Sequence, residues 1–143
     1  MKTYLGIDLG SKSLGLALSS SGIIANGYDT LYFPEDEYEK ALILINNLIK
    51  ELNIDIIVIG LPRHMNYDLG IRGEISVKFA DNLRELSNKE VVLWDERSST
   101  KAAIKTLIHQ NQSRKKQKQK KDEVAATILL QNYLDYKENT KHE

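Results

Sequence analysis

The chain has 143 residues, 41% of them hydrophobic and 28% charged, and its 20 basic residues are balanced by 20 acidic ones. That length and balance suit one globular domain with a useful core, and they exclude a disordered chain. The absence of cysteine excludes disulfides and thiolate metal sites, and no apolar run is long enough to span a bilayer.

Met1-Lys2-Thr3 leads straight into a strand without a signal-peptide hydrophobic region, so the expected location is cytoplasmic, with no membrane partner. Tyr4-Leu5-Gly6-Ile7 then runs into Asp8, Gly10-Ser11 breaks the run, and Leu14 to Leu18 resumes it. This is a strand, a tight turn and a returning strand. A bare carboxylate is costly in a buried strand. Asp8 therefore calls for a cation, a hydrogen-bond network or solvent at the strand's edge, unless it only orders the turn. Glycines on either side let a phosphate or a metal come close to the backbone. Sugar kinases, actin and Hsp70-type ATPases open on a similar pattern, but they need two lobes, which 143 residues do not supply.

Ile23 to Phe33 reads as a third strand, and a helix over roughly 36–52 carries the stripe Tyr38, Ala41, Leu42, Ile45, Leu48, Ile49 and Leu52. Asp55 to Gly60 has the composition of a buried parallel strand. His64 follows it, at the edge where α/β proteins place ligands, although a loop histidine is more often a surface residue. Ile75, Phe79, Leu83 and Leu86 mark a helix over roughly 73–87, and a fifth strand over 90–95 leads into Asp95 and Glu96. Ser98-Ser99-Thr100 offers N-cap chemistry for a helix near 99–110. A last helix is expected over 121–137, with a frayed tail at 138–143. Trp94 reads as core, and His109 and His142 lack metal-site spacing.

Asp122 opens that last helix, on a face continued by Ala125, Ala126, Leu129 and Tyr133. The two alanines let the helix lie close to a sheet and bring Asp122 to the sheet's edge. Carboxylates from three separate elements, each at an element's end, are what a pair of Mg²⁺ ions needs, since hard cations take oxygen ligands. Asp95 and Glu96 point to opposite sides of a regular strand, so one of them is expected to serve.

Four blocks now occur in order: GIDLGSKSLGLALS, VIGLPRHM, WDERSSTKAA and KKDEVAATILLQNYL. Together they resemble the YqgF/RuvX group of RNase H-like nucleases over nearly the whole length. The resemblance implies an α/β RNase H-like fold, a mixed five-stranded sheet flanked by helices in a single domain over 1–143. It implies that Asp8, Glu96 and Asp122 are the catalytic, metal-binding residues, holding two Mg²⁺ or Mn²⁺ ions. It also implies hydrolysis of phosphodiester bonds, in 5′-end processing of precursor 16S rRNA or, alternatively, in branched DNA of the Holliday-junction type. The RNA substrate is favoured by resemblance alone. Ser13 stands where the family usually carries an arginine, and the loop Asn66 to Gly73 differs from the family's shorter turn. The Ser13 departure keeps a catalytically silent nucleic-acid-binding module as a rival, against which the retention of all three acids argues.

The zero net charge hides an asymmetry. Residues 1–100 hold ten basic against fifteen acidic residues, and residues 101–143 hold ten against five. Arg114, Lys115, Lys116, Lys118, Lys120 and Lys121 crowd into eight positions with no apolar anchor, which reads as a mobile basic loop over 113–121. A solvated charge run is the plainer reading, but the run ends beside Asp122, as a loop delivering a polyanion would. No aromatics are interleaved, so phosphate contact is favoured over base stacking there. Lys12, Arg63, Arg72 and Arg97 complete the expected nucleic-acid contacts. No dimerisation stripe stands out, so a monomer or weak homodimer is expected.

Overall fold

The computed structural model describes residues 2–62, 70–96 and 114–140. Its strands are β1 (Tyr4–Leu9), β2 (Ser13–Ser19), β3 (Asn26–Tyr32), β4 (Ile56–Pro62) and β5 (Glu90–Glu96). Among the described residues the helices are α1 (Tyr38–Leu52), α2 (Gly70–Ser87) and α3 (Arg114–Thr140). The strands form one sheet in the order β3-β2-β1-β4-β5. The β1–β2 and β2–β3 pairs are antiparallel, and β4 pairs parallel with both β1 and β5. The mixed five-stranded sheet flanked by helices is thus the architecture observed. No described helix is long and apolar enough to cross a membrane.

Strand alternation assigns the two faces. Leu5, Ile7, Leu14, Leu16, Ile57, Ile59 and Val91 pack with Ala41, Ile45 and Ile49 of α1 and with Phe79, Ala80 and Leu83 of α2. The residues between them point the other way. Tyr4, Ala17, Ile56 and Val58 meet Ala126, Leu130 and Leu134 of α3. Among the described residues, one face therefore carries α1 and α2 and the other carries α3.

Several boundaries differ from the sequence expectations for local reasons. The third strand begins at Asn26 rather than Ile23, because Ser21 Oγ accepts the N–H groups of Ile23 and Ile24 in a turn. Ile23 is left 64% exposed. Helix α1 begins at Tyr38 rather than 36, since Asp36 sits at φ 60° and donates its N–H to the Ser11 carbonyl at 2.8 Å. The expected helix near 99–110 lies outside the described residues. The largest correction concerns the basic run. Arg114 to Lys121 belongs to α3 and is not a loop. Arg, Lys and Gln are good helix formers, and extending a helix already nucleated by packing costs little, so no apolar anchor is required. The helix also runs on to Thr140, into the stretch expected to fray.

Helix α3 lies unusually close to the sheet. A Cβ on Gly6 would stand 2.8 Å from Leu130 Cβ and 3.1 Å from the Ala126 carbonyl oxygen. On Gly15 it would run into the Asp122 carbonyl, with Asp122 Cβ at 2.9 Å. Only hydrogen fits at either position. Gly15→Ala is expected to cost about 1–3 kcal/mol of stability by overpacking, read as a lower denaturation midpoint at unchanged slope. Gly27→Ala should cost less, because its Cβ would meet chiefly Thr127 Oγ1 at 3.3 Å.

Candidate active site

The packing of α3 fixes where its first acid falls. Asp122 lies over Gly15, Ala126 and Leu130 lie over Gly6, and Lys137 Nζ donates to Tyr4 Oη at 2.8 Å. The helix therefore runs from the C-terminal end of β1 back toward its start. That same donation holds the Lys137 ammonium pKa above its ordinary value.

Gly15 sits directly opposite Asp8 in the β1–β2 ladder. Gly6 faces α3, and Asp8, two residues on, shares that face. Asp8 and Asp122 thus lie on one face, over the β1–β2 pair at the C-terminal end of β1, each half-buried. Ser13 stands two residues from Gly15 on the same face and is only 6% exposed. Its Oγ donates to Asp122 Oδ2 at 3.1 Å. From sequence, Ser13 registered only as a missing arginine; the structure gives its hydroxyl the task of orienting a carboxylate. The alternation of small residues Ser13, Gly15 and Ala17 on one strand face was the available signal for a helix lying against that face.

Glu96 ends β5 opposite Pro62, at the same parity as Val92 and Trp94, which pack on the α3 side. Asp95 is opposite Leu61 and has the parity of Val91 and Leu93, which belong to the α1–α2 side. The backbone therefore sets the two acids at positions of opposite face. Their side chains lie outside the described residues. Among the described residues no group of three or more acid or histidine side chains is placed to hold a metal ion. Two carboxylates supply the oxygen donors a hard divalent cation takes, and the chemistry of Asp8 and Asp122 fits such an ion.

The remaining expected contacts separate into groups. Lys12 is exposed in the β1–β2 turn, and Lys121 is exposed one residue before Asp122. Arg72 has two nitrogens engaged within the fold: Nη2 donates to the Leu9 carbonyl at 3.0 Å and Nη1 to Tyr38 Oη at 3.2 Å. It ties α2 and α1 to the strand end that carries Asp8. Arg114, Lys115, Lys116, Lys118 and Lys120 occupy the first two turns of α3. Arg63, His64, Arg97, Ser98 to Thr100 and His109 lie outside the described residues. Trp94 packs against the rings of Tyr133 and Tyr136, with centroids at 5.5 and 5.0 Å.

Known proteins resemble this chain in sequence and in fold. The family model described as "RuvX: Holliday junction resolvase" matches residues 2–136. A protein of Onion yellows phytoplasma (strain OY-M), named "Putative pre-16S rRNA nuclease", is 47% identical over 133 residues, covering 92% of this chain and 88% of its own. A protein of the same name from Bacillus cereus (strain B4264) is 46% identical over 134 residues, covering 93% and 98%. Among solved structures, RuvC of T. thermophilus in complex with a Holliday junction substrate superposes with a TM-score of 0.63, covering 98% of each chain. At 11% sequence identity that likeness concerns the fold, which is RNase H-like. The family model and the relatives agree over nearly the whole length, and the chain belongs to the RuvX family.

Proposed function

We propose that this chain is a metal-dependent nuclease that hydrolyses phosphodiester bonds, with RNA as the favoured substrate, in 5′-end processing of precursor 16S rRNA. The observation that carries the reading is the placement of Asp8 and Asp122 on one face at the C-terminal end of β1, with the Ser13 hydroxyl bonded to Asp122. Family membership and the names of the relatives support the reaction class and the RNA substrate.

Asp8, Asp122 and Glu96 would hold Mg²⁺ or Mn²⁺. Bound there, such ions would make a water nucleophilic at neutral pH and stabilise the departing 3′-oxygen, giving 5′-phosphate and 3′-hydroxyl ends. The chain's own groups hold the site in shape. Ser13 fixes the Asp122 carboxylate, and Arg72 secures the end of β1. Gly15 allows α3 to approach until the two acids share one place. The basic first turns of α3, with Lys12, would hold the phosphates on either side.

Asp8→Asn and Asp122→Asn should each abolish cleavage of a precursor 16S rRNA fragment in Mg²⁺ or Mn²⁺ while keeping the fold. Full activity in either variant would overturn the two-metal reading. A four-way DNA junction run beside the RNA decides the substrate: cleavage of the junction alone would move the assignment to branched DNA.

Ser13→Ala should lower activity or metal affinity by about 10- to 100-fold, the usual loss when a group orienting a metal ligand is removed. Ser13→Thr should recover much of it. A metal titration of activity separates this loss from misfolding.

Replacing the six cations from Arg114 to Lys121 by Gln should weaken binding to any sequence. The salt slope should fall by about 4 to 5 log units per decade if all six engage phosphates. Cleavage at saturating substrate should persist. An unchanged slope would make the run a solvated face.

A further inference from the structure

On the same face as the two acids stands an exposed aromatic side chain. Tyr32 ends β3 directly opposite Ser13, the residue bonded to Asp122. Thr30, at the same parity, is opposite Gly15 and lies buried beneath α3. Tyr32 therefore belongs to the face that carries Asp8 and Asp122, one step nearer the sheet's edge. There it is 44% exposed. Phe33, the next residue, is buried in the opposite core against Tyr38. The chain thus places one aromatic ring inside and leaves its neighbour on the acidic face.

Strand spacings of about 4.8 Å and a rise of about 3.4 Å per residue put the α-carbons of Tyr32 and Asp8 about 12 Å apart. That is within reach of a nucleotide flanking one whose phosphate sits at the acids. Exposed Lys12 lies in the turn that precedes Ser13. The first two turns of α3 extend beyond Asp122 past the same edge, about 12 Å at 1.5 Å per residue. Exposed Lys12 and Lys121 and an exposed ring beside a phosphate site are the two parts of a single-strand binding groove, in which cations track the backbone and rings stack the bases.

We propose that Tyr32 is a stacking platform for an unpaired base of the strand whose phosphate lies at Asp8 and Asp122. The inference rests on the nuclease reading for the position of the phosphate. Its substance is specificity: the site takes a strand whose bases near the cut are free to turn out of a helix. A ring stacks any base, so the platform selects for strandedness and not for sequence. Tyrosine offers this at small entropic cost, having only two side-chain torsions to fix.

The test uses a ten-nucleotide single-stranded RNA carrying 2-aminopurine at one position at a time, titrated with the full chain at low salt without divalent ion, so that the strand stays intact. One or two adjacent positions should lose fluorescence on binding to the wild type. Tyr32→Phe should keep that loss, and Tyr32→Leu should abolish it and weaken binding roughly 5- to 100-fold. An abasic nucleotide at the quenched position should weaken wild-type binding and add nothing to Tyr32→Leu. Thermal melts that match the wild type certify the fold of both variants. Absence of quenching at every position with wild-type affinity in Tyr32→Leu would overturn the platform. Tyr32→Phe falling as far as Tyr32→Leu would overturn it too, by showing that the hydroxyl carries the contact. Because the readout is binding, quenching without cleavage by the wild type would sink the nuclease reading and leave the platform standing.

Discussion

The rest of the structure depends on the contact between the backbone of α3 and the two glycines of the central strands. Helices ordinarily stand off a sheet by the length of intervening side chains. Here Gly6 and Gly15 supply none, and the carbonyl groups of Ala126 and Asp122 come down onto the strands. That close approach fixes the helix along the sheet as well as above it, because only the glycine positions admit it. It therefore determines which residue of α3 meets Asp8. A shift by one residue would carry Asp122 off the Gly15 position and put its neighbour there. Buried Leu130 and Leu134, packed against Tyr4, Ile56 and Val58, keep the register through hydrophobic burial rather than through the polar groups of the site.

The topology explains why the acids can be kept at all. Strand β1 lies in the middle of the sheet, yet Asp8 is its penultimate residue, where the apolar ladder gives way to a turn. Asp8 is half-buried, and so is Asp122. Solvent and hydrogen bonds limit the desolvation cost that an interior carboxylate would incur. The Ser13 hydroxyl contributes one bond to this, and Arg72 ties the other side of the strand end to α1 and α2. The end of β1 is thus braced from both faces.

Much of this was legible from the order of residues. All five strands and the packed stretches of the three described helices announce themselves through alternation and helical stripes, because burial imposes those periods. Asp8 was legible as an acid near a strand's end, whereas Asp122, expected to open its helix, lies in the third turn of α3 because the basic run before it is helical too. What sequence could not supply was contact between residues distant in the chain. The Ser13–Asp122 bond joins residues 109 positions apart and exists only because α3 crosses β2 there. Arg72 looked like a free cation because its partners, a carbonyl and a tyrosine hydroxyl, leave no charge pattern. The basic run was misread because hydrophobic periodicity is silent where there are no hydrophobic residues. Helix propensity, which needs none, decided the outcome.

That helical basic run poses an energetic question which the proposed function answers. The N-terminus of a helix carries partial positive charge, so acids favour it and cations oppose it. The first turn of α3 has no acid, and six of its first eight residues are basic. Acids arrive only at Asp122 and Glu123, in the third turn, and Asp122 is committed to the sheet edge. Such an arrangement does not serve the stability of the helix. The packed stretch from Ala126 onward sustains it, and repulsion among the cations works against it. Phosphates of a bound strand would neutralise the cations and complement the helix end at once. The same charges that weaken the free helix would then stabilise the bound one, and order in this segment would rise with occupancy of the site.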